Sequence, residues 1–370
     1  MIGKINTSTK FSGIYILIFS LSFLFSITLK AQVQHEEVSE TNPSETAIAG
    51  EHKKEEQLDI SKIAFEHILD AHSWHFWGEG HDAVALPLPI IIYSTTKGIQ
   101  VFSSAKFEHG HAEYNGYSLV DEKIVSTDVN ESVYDFSITK NVAQLLLSAL
   151  VLFLLFTSVA KAYKTQGVTS APKGKQSFLE PLIVFVRDDL AKNNIGPTSD
   201  KYVPYLLTVF FMILINNVFG LVPISANLTG NIAFTLVLSV VTFIVTNING
   251  NKHYWSHIFL PHAPKAIWPI LIPIEVFGIL TKPFALMIRL FANITAGHII
   301  IISLVGLIFI FKSLYIAPIS IAFALFIDVL EVLVAFLQAY IFTMLTALFI
   351  GSAVGVPDHG DDHKSEAAGH

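Results

Sequence analysis

Two long apolar segments near the C-terminus restrict what this chain can fold into. Residues 283–311 and residues 318–351 each contain only two ionisable groups. These groups are Arg289, His298, Asp328 and Glu331. As helices, the two segments would be about 43 and 51 Å long at 1.5 Å per residue, whereas the hydrocarbon core of a bilayer is about 30 Å thick. We therefore predict two membrane helices inclined by about 45–55°, well beyond the usual ~20°.

Other apolar runs extend the membrane region. Residues 142–160 form a stretch of 19 residues without a charge, and further spans are expected at roughly 204–221 and 232–247. A shorter apolar segment, 267–278, lies close to Pro269, Pro273 and Pro283, so we predict that it is broken or re-entrant. The predicted fold is an all-α polytopic membrane protein with about five transmembrane helices, the last two long and strongly inclined.

The distribution of charge predicts the orientation. Residues 202–357 hold eight charges in 156 positions, whereas residues 33–140 hold 19 of the 30 acidic residues. Residues 161–201 carry seven basic residues, and the positive-inside rule assigns such a loop to the cytoplasm. Within it, the amphipathic residues 178–190 are expected at the membrane interface. The acidic segment then lies outside, and a nucleic-acid binder is excluded.

The N-terminal part divides into a leader and a polar segment. Residues 1–31 resemble a secretory signal peptide, and a retained signal anchor is the alternative. Residues 32–140 are expected to be external, polar and partly β, because the β-prone runs 87–93 and 99–102 flank a turn-like sequence. Eight histidines lie between His35 and His111, but their spacing matches no metal-ligand pattern. We expect no metal or cofactor; residues 141–357 form the membrane domain and 358–370 a polar cytoplasmic tail.

Arg289 is the most informative ionisable residue. Arginine at membrane depth is costly and keeps its proton, so a carboxylate partner is expected from Glu275, Asp328, Glu331 or another subunit. At 100° per residue, small residues surround Arg289 on one helix face, which admits a close partner helix. These are Ala285, Ala292, Asn293 and Ala296.

The last two helices also carry polar residues on a second face. His298 lies about 180° around the helix from Arg289. If the two helices pack together, His298 and Glu331 line one polar path, with Gln338 near the middle of the assembly. Asn216 and Asn217 lie inside the predicted span 204–221 and are expected to face another helix or water.

These residues resemble subunit a of the F-type proton-translocating ATP synthase. The resemblance rests on PFALMIRLFANITAGH at 283–298 and EVLVAFLQ at 331–338, and it covers about residues 140–355. It implies that Arg289 is the essential arginine facing a ring of c subunits. It also implies that His298 and Glu331 are the coupled polar pair, with Gln338 and Asn293 as further motif positions. We hypothesise that Asp328 and Glu275 join the proton path.

The implied protein is a stator subunit that forms two proton half-channels against the c-ring and couples proton translocation to rotation. Its implied partners are the c-ring, the b subunits of the peripheral stalk, the remaining synthase subunits and membrane lipid, in a bacterial inner membrane. Neither a phosphate-binding glycine loop nor a nucleophile elbow occurs, so the chain is not expected to be an enzyme on its own. The alternative is a self-contained proton- or cation-coupled secondary transporter, which predicts internal repeats that the sequence lacks. The choice between proton and sodium stays open.

Overall fold

A computed structural model describes residues 70–77, 84–110, 112–120, 122–128, 131–166, 174–222, 225–260, 264–311 and 315–355. The predicted leader 1–31 and the predicted tail 358–370 lie outside these residues. Two parts are described: a β region, residues 70–139, and a helical region that begins at Lys140.

Within the described residues of the β region, seven short strands are present, named β1 to β7. They are β1 Ser73–Trp77, β2 Val84–Pro87, β3 Pro89–Ser94, β4 Gly98–Ser103, β5 Tyr117–Val120, β6 Lys123–Ser126 and β7 Val133–Asp135. All pairs are antiparallel: β1 with β2, β5 with β6, and a sheet in the order β4-β3-β7.

The predicted hairpin is present as β3 and β4, joined across the Ser94–Gly98 pair. The predicted first run, 87–93, is not one strand, because it breaks at Leu88 between two prolines. Proline has no N–H to donate to a sheet ladder. The N–H of Leu88 donates instead to Ser104 Oγ at 3.0 Å.

One buried carboxylate organises the β region. Glu131 accepts hydrogen bonds from the hydroxyls of Ser94, Thr96, Tyr117 and Ser126. These hydroxyls, Ser94 foremost, lower the pKa of Glu131 to about 2, because each donates to the ionised form. The same residue therefore joins the turn of the β3–β4 hairpin to β5 and β6.

Within the described residues, the helical region contains seven α-helices of eight or more residues, besides a single helical turn at Asn193–Ile195. They are α1 Lys140–Gln166, α2 Lys175–Val184, α3 Val203–Gly220, α4 Ile232–Ile248, α5 Lys252–Phe259, α6 Trp268–Phe311 and α7 Ile316–Val354. A π-helical stretch, Phe185–Lys192, continues α2, so the predicted amphipathic segment is helical. The predicted spans at 142–160, 204–221 and 232–247 correspond to α1, α3 and α4.

Of these helices, α1, α3, α6 and α7 are long and apolar enough to cross a membrane, and α4 with α5 adds a fifth candidate that is bent by 102°. The count agrees with the prediction of about five spans. The inclination of the last two helices stays a prediction.

The predicted break at 267–278 is wrong, because α6 is one continuous helix of 44 residues. Pro269 lies in its first turn, where the missing N–H has no helical partner anyway. Pro273 and Pro283 lie inside the helix, a position tolerated in membrane helices because neighbouring groups satisfy the released carbonyls. Helix α6 is therefore about 66 Å long, more than the segment 283–311 indicated.

The C-terminal end of α7 is fixed to two other elements. The backbone N–H of Asn251, the N-cap of α5, donates to Ala353 O at 2.9 Å, and its side-chain amide donates to Gly355 O at 2.7 Å. On another side, a Cβ placed on Gly351 would lie 1.9 Å from the carbonyl oxygen of Asn194. Only glycine therefore permits this approach of α7 to the turn at Asn193–Ile195.

We expect Glu131→Gln to weaken the β region at neutral pH, because a neutral amide is a poorer acceptor for four hydroxyls. Since the folded-state pKa of Glu131 is lowered, its stabilisation is present above pH 4.5 and is lost as the pH falls towards 2. Amide hydrogen exchange of β3 and β7 in the full chain at pH 6 measures the change. The exposed Glu113 supplies the control, Glu113→Gln, and equal exchange in the two variants would contradict the prediction.

Candidate functional site

The candidate site lies along the seam between α6 and α7. Their polar contacts pair His298 with Glu331 and Asn293 with Gln338. Residue numbers rise on α6 as they fall on α7, so the two helices run antiparallel. Both are apolar along most of their length, and the polar side chains therefore meet in a low-dielectric environment.

His298 and Glu331 form the deepest ionisable contact of the seam. His298 Nδ1 lies 3.2 Å from Glu331 Oε1, with 21% of the histidine side chain exposed and 4% of the glutamate side chain. Burial of an ionised carboxylate is costly unless it is paired. An imidazole at this distance can donate a proton or a hydrogen bond to the carboxyl and receive a proton back. The pair therefore has the chemistry to exchange protons. The predicted packing of the two helices is confirmed by this contact, whereas the proton path stays a prediction.

Gly297 permits the close contact between the helices. A Cβ at this position would lie 2.9 Å from Glu331 Oε1 and 3.1 Å from its Cδ. The carboxyl of Glu331 therefore rests against the backbone of α6. Gly297 was not among the predicted site residues, although its position directly before His298 was a signal.

A second polar contact lies further along the seam. Asn293 Nδ2 donates to Gln338 Oε1 at 3.1 Å, and Gln338 is 2% exposed. Glu331, Ala335 and Gln338 are all buried on one face of α7, which confirms the predicted face. The contact fixes the register of α6 against α7 about two turns from the His298–Glu331 pair.

Arg289 lies on the open side of α6. Its side chain is exposed, as are the small residues that share its face. These are Ala285, Ala292, Asn293 and Ala296. Within the described residues, no carboxylate forms an ion pair with Arg289.

The three candidate carboxylates in this chain differ in position. Glu331 is turned into the seam towards His298, whereas Asp328, one turn earlier on α7, is exposed. Glu275 lies 14 residues before Arg289 on α6, about 21 Å along the helix, so the structure does not bring it to the seam. Of the polar-path candidates, His298, Glu331, Asn293 and Gln338 come together, and Glu275 does not.

Asn217 brings a third helix, α3, into contact with α7 beside the seam. It is 1% exposed, and its Nδ2 donates to Ala335 O at 3.0 Å. Asn216 is fully buried and donates to Met212 O of its own helix at 2.8 Å. The prediction that these amides face another helix is confirmed for Asn217.

No group of three or more His, Asp or Glu side chains in the described part of the chain is arranged to hold a metal ion. The functional groups at the seam are the carboxyl, imidazole, guanidinium and amide groups of the chain's own side chains.

Comparison with known proteins divides the chain at α1. Residues 142–351, more than half of the chain, match the family model ATP synthase A chain. Residues 63–145, which include the β region, match a domain of unknown function, DUF8433. The first match spans every residue of the seam.

Relatives named ATP synthase subunit a share this region. The protein of Chloroherpeton thalassium is 50% identical over 241 residues, which is 64% of this chain and 72% of the relative. "ATP synthase subunit a 2" of Chlorobaculum tepidum is 49% identical over 239 residues, 63% of this chain and 68% of the relative. The protein of an Anaeromyxobacter species is 43% identical over 265 residues, which is 69% of this chain and 62% of the relative. By its helices, its seam and these matches, the chain belongs to the ATP synthase A chain family.

Proposed function

We propose that this chain is the proton-channel subunit of an F-type ATP synthase, and that the α6–α7 seam carries the protons. The observation that supports this role most directly is the buried contact between His298 and Glu331 at 3.2 Å. Two groups able to exchange a proton meet there between helices of membrane-spanning length.

Arg289 faces a c-ring carboxylate in this proposal. An arginine exposed on an apolar helix, with no ion pair in the described residues, is costly in lipid. A carboxylate on a rotating partner removes that cost when it passes, and the small residues around Arg289 let the partner helix approach closely. The guanidinium keeps the passing carboxylate ionised and repels a proton moving straight through. Arg289 thereby separates two half-channels.

Protons enter one half-channel, pass His298 and Glu331 and neutralise a c-ring carboxylate. The ring then rotates with its carboxyls neutral in lipid until the proton leaves through the second half-channel. Asn293 and Gln338 hold α6 and α7 in register beside Arg289, and Asp328 extends the polar surface one turn from Glu331. Each charge that crosses gains about 2.3 kcal/mol per 100 mV of membrane potential.

The basic residues of 161–201 support a cytoplasmic position for that segment. The β region then lies on the periplasmic side of a bacterial inner membrane, and the C-terminus lies in the cytoplasm. The c-ring and the b subunits of the peripheral stalk are the proposed direct partners. Nucleotide chemistry belongs to other subunits of the complex, so this chain is non-catalytic on its own.

We expect Arg289→Ala to abolish ATP-driven proton pumping in vesicles that contain the assembled synthase, because nothing then keeps the ring carboxylate ionised between the half-channels. Fluorescence quenching of an acidotropic dye measures the pumping. Arg187→Ala removes the other arginine of the chain, which is half exposed and paired with Asp188, and should leave pumping near normal. Normal pumping in Arg289→Ala would refute the proposed role.

Glu331→Gln is expected to slow proton flux at least tenfold while the complex still assembles, because an amide accepts hydrogen bonds but cannot relay a proton. Passive flux through vesicles stripped of the catalytic sector measures the rate, and native gel electrophoresis measures assembly. Unchanged flux would return Glu331 to a purely structural role.

Gly297→Ala tests the geometry of the seam. The added methyl meets the carboxyl of Glu331 at 2.9 Å and should displace it from His298, so proton flux should fall several-fold. Gly278→Ala on the same helix is the matched control, since a Cβ there has nothing within 4 Å. Alanine favours a helix by about 1 kcal/mol over glycine, so both variants should remain folded. Equal flux in the two would exclude a role for this contact.

A further inference from the structure

The sheet of β4, β3 and β7 buries one of its faces in the core of the β region. Ile90 and Ile92 of β3 are fully buried on this inner face, where they pack with Phe107, Tyr117 and Ile124. Because Tyr117 and Ile124 belong to β5 and β6, that hairpin covers the inner face. Successive side chains of a strand point to opposite faces, so the residues between Ile90 and Ile92 and after it lie on the other side of the sheet.

The register brings six side chains together on this other side. Tyr93 pairs with Ile99 of β4 and with Tyr134 of β7, and Ile91 pairs with Val101. The N–H of Phe136 donates to Ile91 O at 2.8 Å, which continues the pairing beyond β7. We call this set the outer sheet face: Ile91, Tyr93, Ile99, Val101, Tyr134 and Phe136.

The outer sheet face is apolar, carries no charged side chain and is largely uncovered. Ile99 is 73% exposed and Val101 is 66% exposed, and Tyr93 and Phe136 are exposed as well. The water-facing side of an antiparallel sheet ordinarily carries polar side chains. A contiguous apolar patch marks a surface that contacts another protein or a membrane.

Hydrogen bonds fasten the β region to the first turn of α1. Asp70 Oδ1 accepts from the backbone N–H of Asn141 at 3.1 Å, and Asp70 Oδ2 accepts from Thr139 Oγ1 at 2.8 Å. The N–H of Lys140 donates to Ala71 O at 2.8 Å. The outer sheet face is therefore held at a fixed height relative to α1, a helix long and apolar enough to cross a membrane.

Phe136 places one edge of the outer sheet face at the membrane boundary. It lines a cleft together with Leu145 of α1 and Phe234 of α4, and it lies four residues before Lys140, where α1 begins. Four residues span at most about 14 Å, and the headgroup layer of a bilayer is roughly 5–8 Å thick on each side. This edge is thus level with the lipid headgroups, where tyrosine side chains are enriched in membrane proteins.

Two observations favour lipid as the cover. The strand of the sheet that is separated from β7 by β3 is β4, and its outward residues Ile99 and Val101 are the most exposed of the face. A cover must therefore extend sideways from the end of the helix bundle, as a bilayer surface does. Residues 33–140 hold 19 acidic residues and only seven lysines, so attraction to anionic lipid does not hold them there, and the contact depends on apolar burial.

We propose that the outer sheet face rests on the lipid bilayer, with Ile99 and Val101 inserted between the lipid headgroups on the side of the membrane where α1 begins. The β region is then a second membrane contact, which lies on the surface while the helices cross it. This inference depends on α1 crossing the membrane and is independent of the proposed proton path.

A fluorescent probe at Val101 tests the contact, since the chain contains no cysteine. Val101→Cys is labelled with a nitrobenzoxadiazole fluorophore in an assembled synthase whose other subunits lack reactive cysteines, and the complex is reconstituted into phosphatidylcholine vesicles. We expect strong quenching by a nitroxide on the lipid headgroup and weak quenching by iodide in the water on the side of the β region. Quenching by iodide alone would show an uncovered face, and quenching by neither would show a protein cover; both results overturn the proposal.

Val125→Cys is the matched control. Val125 is exposed on β6, and its neighbour Ile124 packs into the core beneath the inner face of the sheet. The side chain of Val125 therefore points away from the core on the side opposite to the outer sheet face. A probe at Val125 should be quenched by iodide and hardly at all by the lipid nitroxide, and equal lipid quenching at both positions would contradict the assigned orientation.

A charge placed in the contact provides a second test. In labelled Val101→Cys, Ile99→Asp should lower lipid quenching several-fold, because a carboxylate loses its hydration in an apolar contact. Val120→Asp, at an exposed position of β5, should leave the quenching unchanged, and so should 1 M salt, which screens charges but not apolar burial. Unchanged quenching in Ile99→Asp would refute the insertion of β4. ATP-driven pumping should stay near normal in Val101→Cys, so this result and the tests of Arg289 and Glu331 can fail separately.

Discussion

The burial of one carboxyl group between two apolar helices is the constraint on which the helical region depends. Glu331 is 5% exposed on a helix that is apolar for 39 residues. Such a group is tolerated only if neighbouring groups compensate for its lost hydration. His298 supplies a partner at 3.2 Å, and Gly297 leaves the space in which the carboxyl lies. These two adjacent residues, together with the Asn293–Gln338 contact, set the register of α6 against α7.

The β region and the helical region each contain a buried acid, Glu131 and Glu331, and the surroundings of these two carboxyls differ. Glu131 accepts from four hydroxyls, and its pKa is lowered to about 2, so it remains an anion and stabilises a fixed structure. Glu331 has one imidazole beside it, with His298 Nδ1 3.2 Å from its Oε1, and no hydroxyl of the described residues donates to that oxygen. A fully satisfied carboxylate suits a structural joint, whereas a poorly satisfied one suits a group that must gain and lose a proton.

The sequence predicted the membrane helices well, because a bilayer demands long apolar runs and penalises every charge inside them. It predicted the polar faces of α6 and α7, because 100° per residue groups Glu331, Ala335 and Gln338 without further information. It failed at 267–278, because proline preference is a local property and prolines are tolerated inside membrane helices. The contact of Gly297 with Glu331 depends on which helices become neighbours, and no periodicity within one segment contains that information.

The attachment of α7 at its C-terminal end has a mechanical consequence. In the proposed complex, a rotor that turns against this helix pushes on it sideways and along its axis. A helix held only by apolar packing can slide, since such contacts have little directional preference. The bonds of Asn251 to Ala353 and Gly355, and the contact of Gly351 with the Asn194 carbonyl, are directional and lie at one end. Such a force on α7 would be transmitted to α5 and to the helical turn Asn193–Ile195 after the π-helical stretch, and the contact between His298 and Glu331 would keep its spacing.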